Sequence, residues 1–391
     1  MVRLILMTDF TEAFAHYLLQ GIYKYASTPG DWIVCRMPPA YKERFGLKAV
    51  VTWAKKWKAD AIIGQFSDTD DVSLFRKNGI IALAQDYKSR FSVIPNITSD
   101  YFATGAKAAD FFIKRRYRHF AFFGYRNVVW SDERYMGYRR RLEDLGMEVS
   151  PSYQEQDISE LWHYDAEPIR RWLDSLPKPV AIFACDDNQG TKLIEVCNVA
   201  GYKVPEDVAV LGVDNDETVC QMSFPPQSSI VTDIVQGGYD AAKLIDDILA
   251  GRVEPSGETN VVIRPLYIVS RTSTNVIATE DADVQKVLRF IYDNVHRKIN
   301  VDDVLATVPM SRKLLEIRFR KAMGDSIYHF IGKVKLERFR SYLINMDRPV
   351  GEIAGLVGEE DPNNIFRRFR KVYGCTPMEY RRKHNSQNAS D

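Results

Sequence analysis

Between Asn300 and Gly374 one device occurs twice. The first copy is a short helical run, NVDDVLAT, then a turn at Val308-Pro309, then the longer run SRKLLEIRFRKAMG. The second is VGEIAGL, a turn at Val357-Gly358, then DPNNIFRRFRKVYG. A small support helix, a tight turn and a longer basic helix make a helix-turn-helix, so this part of the chain must fold as packed helices. In the first long helix Leu315, Phe319, Ala322 and Met323 recur at helical spacing and predict a buried stripe, with Arg312, Lys313, Glu316 and Arg320 on the other face. In the second, Ile365, Phe366, Phe369, Val372 and Tyr373 form the predicted stripe, leaving Asn363, Arg367 and Arg370 outside. Arg, Lys and Asn are the side chains that reach guanine and adenine edges in a major groove. One basic amphipathic helix often does no more than solvate itself; two in a hundred residues point to nucleic acid.

The helix ends are marked. Asp361-Pro362 supplies an N-cap acceptor followed by Pro at the first helical position, where a missing N–H costs nothing. Asn300 with Asp303 marks the first support helix, and Gly324 and Gly374 stand where the long helices need a left-handed residue to stop.

Charge divides along the chain. Val284–His384 carries 21 Lys and Arg against 12 Asp and Glu, whereas residues 1–283 carry 32 against 39, a difference hidden by the overall net charge of +1. A basic module joined to a mildly acidic one places nucleic acid at the C-terminal part alone. At 391 residues, two or three domains are expected. The five cysteines (Cys35, Cys185, Cys197, Cys220, Cys375) are odd in number and lack CxxC spacing, so neither a disulfide framework nor a metal site is indicated, and no cofactor is expected. The N-terminal apolar run is far shorter than a signal peptide's core and no stretch reaches membrane-helix length, which gives the expectation of a cytoplasmic protein with no membrane partner.

Residues 1–275 alternate β-rich runs (Leu4–Met7, Trp32–Cys35, Ala61–Gly64, Ile80–Leu83, Phe120–Phe123, Val180–Ala184, Val208–Val213) with amphipathic stretches (Ala13–Tyr25, Thr104–Lys114, Arg134–Leu145, Asp187–Ala200, Gly237–Leu249). That alternation predicts an α/β fold of βαβ units, and the strands are too many for one compact sheet, so two lobes with a cleft between them are expected. Ligands bind at the carboxyl ends of such strands. Asp9, the Asp186-Asp187 pair and Asp214 follow strands, and Arg134 opens a helix soon after another. Carboxylates paired with Arg can bridge vicinal sugar hydroxyls, and Phe10, Phe14, Phe66 or Trp130 could stack on a pyranose face. Singly, each such residue is more often a cap or a structural ion pair; their recurrence at successive strand ends favours a site.

The segments KVPEDVAVLGVDNDE (Lys203–Glu217), AIFACDDNQGTKL (Ala181–Leu193), ITSDYFATGAKAADFFIKRRYRHFAFFG (Ile97–Gly124) and WSDERYMGYRRRL (Trp130–Leu142) resemble the effector domain of LacI-type repressors, which is related to periplasmic sugar-binding proteins. That resemblance covers residues 1–272. It implies a sugar in the cleft, touched by Arg134, Asp186, Asp187, Asp214 and Thr232. Two departures stand out: Asp-Asp replaces the usual Asn-Asp after VAIFA, and the family's N-terminal DNA-binding headpiece does not precede the first strand.

GEEDPNNIFRRFRKVYGCTPMEYRR resembles the closing signature of the AraC/XylS DNA-binding domain, a similarity spanning about a hundred residues. The resemblance implies that Arg312, Lys313 and Glu316, and then Asn363, Asn364 and Arg367, enter successive major grooves of double-stranded operator DNA. Arg320, Arg368, Arg370 and Lys371 would hold phosphates. Glu359 departs from the family's usual Phe, and Pro362 falls at a position that often contacts DNA. The expected layout is a two-lobed α/β periplasmic-binding-protein-like sensor over 1–275, a joint over 276–283, an all-α double helix-turn-helix domain over 284–384 and a polar tail over 385–391. This order of modules resembles bacterial regulators of xylose catabolism. It implies D-xylose as effector, activation of transcription with RNA polymerase as partner, and a homodimer. A different pentose or sugar is the alternative. An enzyme with a DNA-binding appendage would need a phosphate loop or a nucleophile–His–acid set, and the chain offers no such arrangement to place.

Overall fold

The computed structural model describes residues 1–27, 31–154, 165–275, 279, 281–345 and 348–382. Two compact units emerge: Met1–Lys114 with Arg118–Thr274, and Arg115–Tyr117 with the chain from Asn275 onward.

The first unit is built from two six-stranded sheets. The chain runs β1 (Val2–Met7), α1 (Ala13–Ala26), β2 (Trp32–Met37), α2 (Pro39–Trp57), β3 (Ala61–Gln65), α3 (Ser73–Lys77), β4 (Ile81–Gln85) and β5 (Asn96–Ser99) through the first lobe. It continues as α4 (Tyr101–Lys114), β6 (His119–Tyr125), α5 (Val129–Glu143), β7 (Val149–Gln154), α6 (Ala166–Ser175), β8 (Val180–Ala184), α7 (Asp187–Ala200), β9 (Val208–Val213), α8 (Glu217–Met222) and β10 (Ser228–Thr232) in the second. Then α9 (Ile234–Leu249) and β11 (Val261–Ile263) return to the first lobe, and β12 (Pro265–Val269) joins the second. The sheet orders are β11-β5-β4-β3-β1-β2 and β12-β10-β9-β8-β6-β7. All pairings are parallel except β10 with β12. Strands covered on both faces read as near-continuous apolar runs, which is why VAIFA and VAVLGV are wholly buried.

The chain therefore crosses between lobes at Asp100, Asp233 and Arg264. Asp100 N donates to Ile263 O at 2.8 Å and Asp233 N to Arg264 O at 2.9 Å, so the three crossings are stitched side by side. Three short parallel connections leave one soft direction, opening and closing of the cleft.

The second unit is helical: α10 (Ala282–Asn294), α11 (Val301–Leu305), α12 (Arg312–Met323), α13 (Ile327–Asn345), α14 (Val350–Leu356) and α15 (Pro362–Tyr373). Helix α13 serves both helix-turn-helix units. Its Ile327, Phe330, Ile331 and Val334 pack with Leu315 and Phe319, and its Leu336, Phe339 and Leu343 pack with Ile353, Ile365 and Phe369. Fully burying each Phe contributes about 1.5–3 kcal/mol, so each recognition helix has its own small core. The caps stand where the sequence places them. Asn300 and Asp303 form a capping box, the Asp361 side chain accepts from Asn363 N ahead of Pro362, and Gly324 and Gly374 end their helices at φ 72° and 71°.

Two expectations are corrected. Val372 is exposed rather than buried, because it lies on the shoulder of α15 beyond the stripe set by Ile365 and Phe369. Helix α10 begins at Ala282, with Asp281 as N-cap, so the last two residues of the expected joint are helical. The tail over 385–391 and residues 276–278 and 280 of the joint lie outside the described residues.

Candidate functional site

The cleft site is assembled at strand ends. Helix α5 crosses α4 so closely that a Cβ on Gly105 would stand 2.1 Å from Arg134 O, and one on Gly137 2.3 Å from Phe102 O. Glycine at both positions lets the helices touch and sets the depth of Arg134, which lies in the second turn of α5 rather than at its start. Its guanidinium donates from Nη1 to Cys185 O and from Nη2 to Asp214 Oδ1, the latter at 3.3 Å. Tyr101 and Trp130 offer their ring faces at 5.4 and 5.5 Å. Arg134 Nε is closed from solvent and has no partner among the described residues, a donor awaiting an acceptor.

Asp214 follows β9 with φ 91°, and Asn215 follows with φ 52°. This left-handed pair turns the backbone sharply and holds the carboxylate against Arg134. Asp214 Oδ1 also accepts from Thr232 Oγ1 at 3.1 Å, so Arg134, Asp214 and Thr232 meet as one group. Asp186 caps α7, accepting from Gln189 N at 2.6 Å. Burial raises its pKa and the Asp214 charge raises it further, against the opposing pull of the Gln189 N–H and Arg134. Asp187 points elsewhere. Its Oδ2 accepts from Asp216 N at 2.7 Å and its Oδ1 from Gln227 Nε2 at 3.0 Å, so both oxygens are committed to the protein. Burial pushes that carboxyl up to about 8. Asp9 Oδ1 accepts from Thr11 N at 2.9 Å and Thr11 Oγ1 at 2.7 Å, bracing the β1–α1 loop.

One acidic residue escaped the sequence reading. Glu12, beside α1, faces Asp186, Asp9, Asp214 and Asp216; desolvation within the cleft first, then those four charges, raise its pKa to about 8. Its Oε2 accepts from Asn188 Nδ2 of the opposite lobe at 2.8 Å. Gln189, with its Nε2 donated to Tyr125 OH, keeps a buried Oε1 without a partner among the described residues. A second inter-lobe tie joins Arg90 to Glu133 on α5 through two bonds of 2.8 Å, while Arg90 Nε holds Asp86 at 3.0 Å. Of the aromatics, Trp130 lines the site beside Tyr125, whereas Phe66 is buried in the first lobe's core against Phe75 and cannot stack on a ligand. Phe10 carries Arg36 on its face, and Phe14 packs against the core. Converging carboxylates with one buried guanidinium accept and donate hydrogen bonds at fixed positions, which suits a small polyhydroxylated molecule.

In the helical unit, Arg312 pairs with Asp302 at 3.3 Å, and Lys313, Arg320 and Lys321 are exposed. Glu316 is turned partly inward: its Oε2 is closed from solvent and unpartnered among the described residues. On α15, Asn363 Nδ2 donates to Asp361 Oδ1 at 3.0 Å and Arg367 Nη2 to Asn364 Oδ1 at 2.7 Å, with Arg370 and Lys371 exposed. Arg368 is drawn toward Glu359 at 3.6 Å. Glu359 also lies 3.8 Å from buried Lys335, whose ammonium donates to Gly358 O at 2.8 Å; desolvation lowers that lysine's pKa. The residue standing where an aromatic is usual is thus accommodated by a buried cation. Arg318, unremarked in the sequence, grips Asp281 at 2.6 and 2.7 Å and ties α12 to α10.

The periplasmic binding protein-like domain family matches residues 109–274, and the helix-turn-helix domain family matches residues 305–383. Across 97% of its length the chain is 27% identical to the xylose operon regulatory protein of Escherichia coli (strain K12), covering 96% of that protein. Along nearly its whole length the chain is similar to the xylose operon regulatory proteins. The homologue from Haemophilus influenzae is 28% identical over 82% of this chain and 84% of its own. The fold agrees: the solved structure of the xylose-binding transcription activator xylR superposes with a TM-score of 0.67 at 24% identity, covering 97% of both chains. The CelR–cellobiose complex superposes at 0.57 and 22% identity over 70% of this chain and 84% of that one. Among the described residues no helix is long and apolar enough to cross a membrane, and no His, Cys, Asp and Glu group is placed to hold a metal ion.

Proposed function

We propose that the protein is a sugar-responsive, sequence-specific transcription regulator that binds D-xylose in the cleft and operator DNA through α12 and α15. The observation that carries the sugar reading is the Arg134–Asp214–Thr232 group with an unpartnered Arg134 Nε, set beside Asp186 of the same lobe, while Glu12 of the other lobe confronts Asp186 and Asp214. A pentose hydroxyl pair takes the place of solvent there, donating to Asp214 and accepting from Arg134, and it draws the lobes together because Glu12 and the second-lobe residues touch the same ligand. Closure changes operator affinity to the extent that sugar binds one arrangement better than the other. The chain works without catalysis, in the cytoplasm, and activates transcription with RNA polymerase.

The working unit is a homodimer. Val199, Met222 and Phe224 are 83%, 81% and 81% exposed, and Asn198 Nδ2 donates to Phe224 O, so these side chains form one apolar patch at the α7–α8 edge. Contiguous apolar surface of this kind marks a protein contact. A regulator answering to another sugar is the second reading, favoured by the likeness to the CelR–cellobiose complex. Calorimetric titration with D-xylose, L-arabinose, D-ribose and D-glucose decides between them. D-xylose-selective binding that Asp214→Ala abolishes supports the proposal; absence of sugar binding to the wild type removes the sensor mechanism.

A further inference from the structure

The two helix-turn-helix units are repeats at a constant offset. Ser311 and Asp361 cap α12 and α15, Gly324 and Gly374 end them, and Leu315 and Phe319 occupy the core places of Ile365 and Phe369. Each position of α12 therefore has a counterpart fifty residues on, and the faces turned from the core can be compared side chain by side chain. The second unit presents Asn364 and Arg367, hydrogen-bonded to each other. At the same two places the first unit presents Leu314 and Ile317, 47% and 57% exposed. Both lie one turn apart on the side opposite Leu315, Phe319 and Met323, which are buried. Two exposed apolar side chains side by side make a small apolar surface that is stabilised by being covered. Here they are flanked by the exposed cations Lys313, Arg320 and Lys321, so the surface is apolar at its centre and positive at its rim. Among major-groove features, the thymine C5-methyl alone is apolar, and the phosphates beside it are anionic.

We propose that Leu314 and Ile317 read thymine methyl groups in the operator, so that the two units read by different physics: methyl contact under α12, hydrogen bonding to purine edges under α15. This rests on the reading of the chain as a DNA-binding regulator. Arg367 and Asn364 take guanine and adenine, whose edges match their donors and acceptors. The operator is consequently bipartite, with thymine required in the part beneath α12. Arg312 and Glu316, which the sequence places among the base-reading residues, lie nearer the core side of α12; Arg312 pairs with Asp302 and Glu316 has an oxygen closed from solvent.

The test uses full-length protein and duplexes selected by it from a random pool, followed by binding measurements in which each thymine is replaced in turn by uracil, removing only the methyl. The expected result is a bipartite site with thymine under α12. Each critical replacement there weakens binding by about four-fold, the equivalent of one buried methylene. In Ile317→Ala or Leu314→Ala that sensitivity vanishes, while replacements in the other part change nothing. Ile317→Arg is expected to shift the preferred base beneath it toward guanine. A selected site indifferent to uracil everywhere, or an Ile317→Ala protein with unchanged uracil sensitivity, overturns methyl reading and leaves the regulator standing. A pool with no enriched sequence overturns the regulator reading itself, and the inference with it.

Discussion

Replacing Asp214 by Asn separates ligand recognition from architecture. In the structure both bonds to this carboxylate end on Oδ1, from Arg134 Nη2 at 3.3 Å and Thr232 Oγ1 at 3.1 Å; Oδ2 accepts none among the described residues. An amide keeps an oxygen for both neighbours and changes what the other position offers, from a charged acceptor to a donor. A hydroxyl bonded to a carboxylate contributes about 1.5–3 kcal/mol, and a donor in that place accepts nothing from it, so the loss on binding is about 1.5–3 kcal/mol, or about 13- to 160-fold in Kd. Stability should move little. Arg134 keeps its hydrogen bond and loses only the opposite charge, while the repulsion that Asp214 exerts on Glu12 and Asp186 is relieved at the same time. The assay is titration calorimetry with D-xylose beside thermal melting of the same samples. Unchanged affinity refutes Asp214 as a ligand acceptor. A collapsed melting temperature shows that its work is structural.

Four further outcomes follow from the geometry. Glu12 has a pKa of about 8 in the fold against an ordinary 4.5, so the folded state keeps a proton that the unfolded chain releases, and its contribution to stability falls as pH rises from about 4.5 to 8; Glu12→Gln should flatten the melting-temperature profile over that window, and an unchanged profile would refute the assignment. Glu359→Ala leaves Lys335 buried without its counter-charge and should destabilise the helical unit by about 3 kcal/mol, read as faster hydrogen exchange at Phe339 and Phe369; unaltered exchange would show that the ion pair contributes nothing. Phe224→Glu places a charge in the apolar patch and should leave the chain monomeric in sedimentation where the wild type runs as the proposed dimer, with sugar binding kept; an intact dimer would move the interface elsewhere. Arg370→Ala and Lys371→Ala should each lower the slope of log K against log salt by about one without changing the preferred sequence, and an unaltered slope would mean that neither meets a phosphate.

The lobes were legible because buried parallel strands such as VAVLGV are continuous apolar runs and their ends carry the polar residues. Strands β5 (NITS) and β10 (SSIVT) are short and polar, buried by position rather than composition, and so carry no such signal. Arg134 and Asp214 could be found from their places after strands. Glu12 could not, since an acid near a helix start reads as a partner for the helix dipole, and only the closed geometry shows it confronting four carboxylates. Asp187 illustrates the reverse: the motif position matches, yet its oxygens are taken by Asp216 N and Gln227. In the helical unit the caps at Asn300, Asp361, Gly324 and Gly374 were readable, whereas Asp281, the cap of α10, was hidden in an acidic stretch that reads as a joint. Helical periodicity was not enough to place Val372 or to show Leu314 and Ile317 outside, because an apolar residue on the shoulder of a stripe belongs to the core or the surface according to what packs against it.

The central claim is that one free energy links the cleft to the basic helices. Operator affinity should be measured by fluorescence anisotropy at fixed salt, with and without saturating D-xylose, and D-xylose affinity by calorimetry with and without operator. The account predicts that D-xylose tightens operator binding and that operator tightens D-xylose binding by the same factor, as linkage requires. D-xylose that binds the cleft while leaving operator affinity unchanged would contradict it.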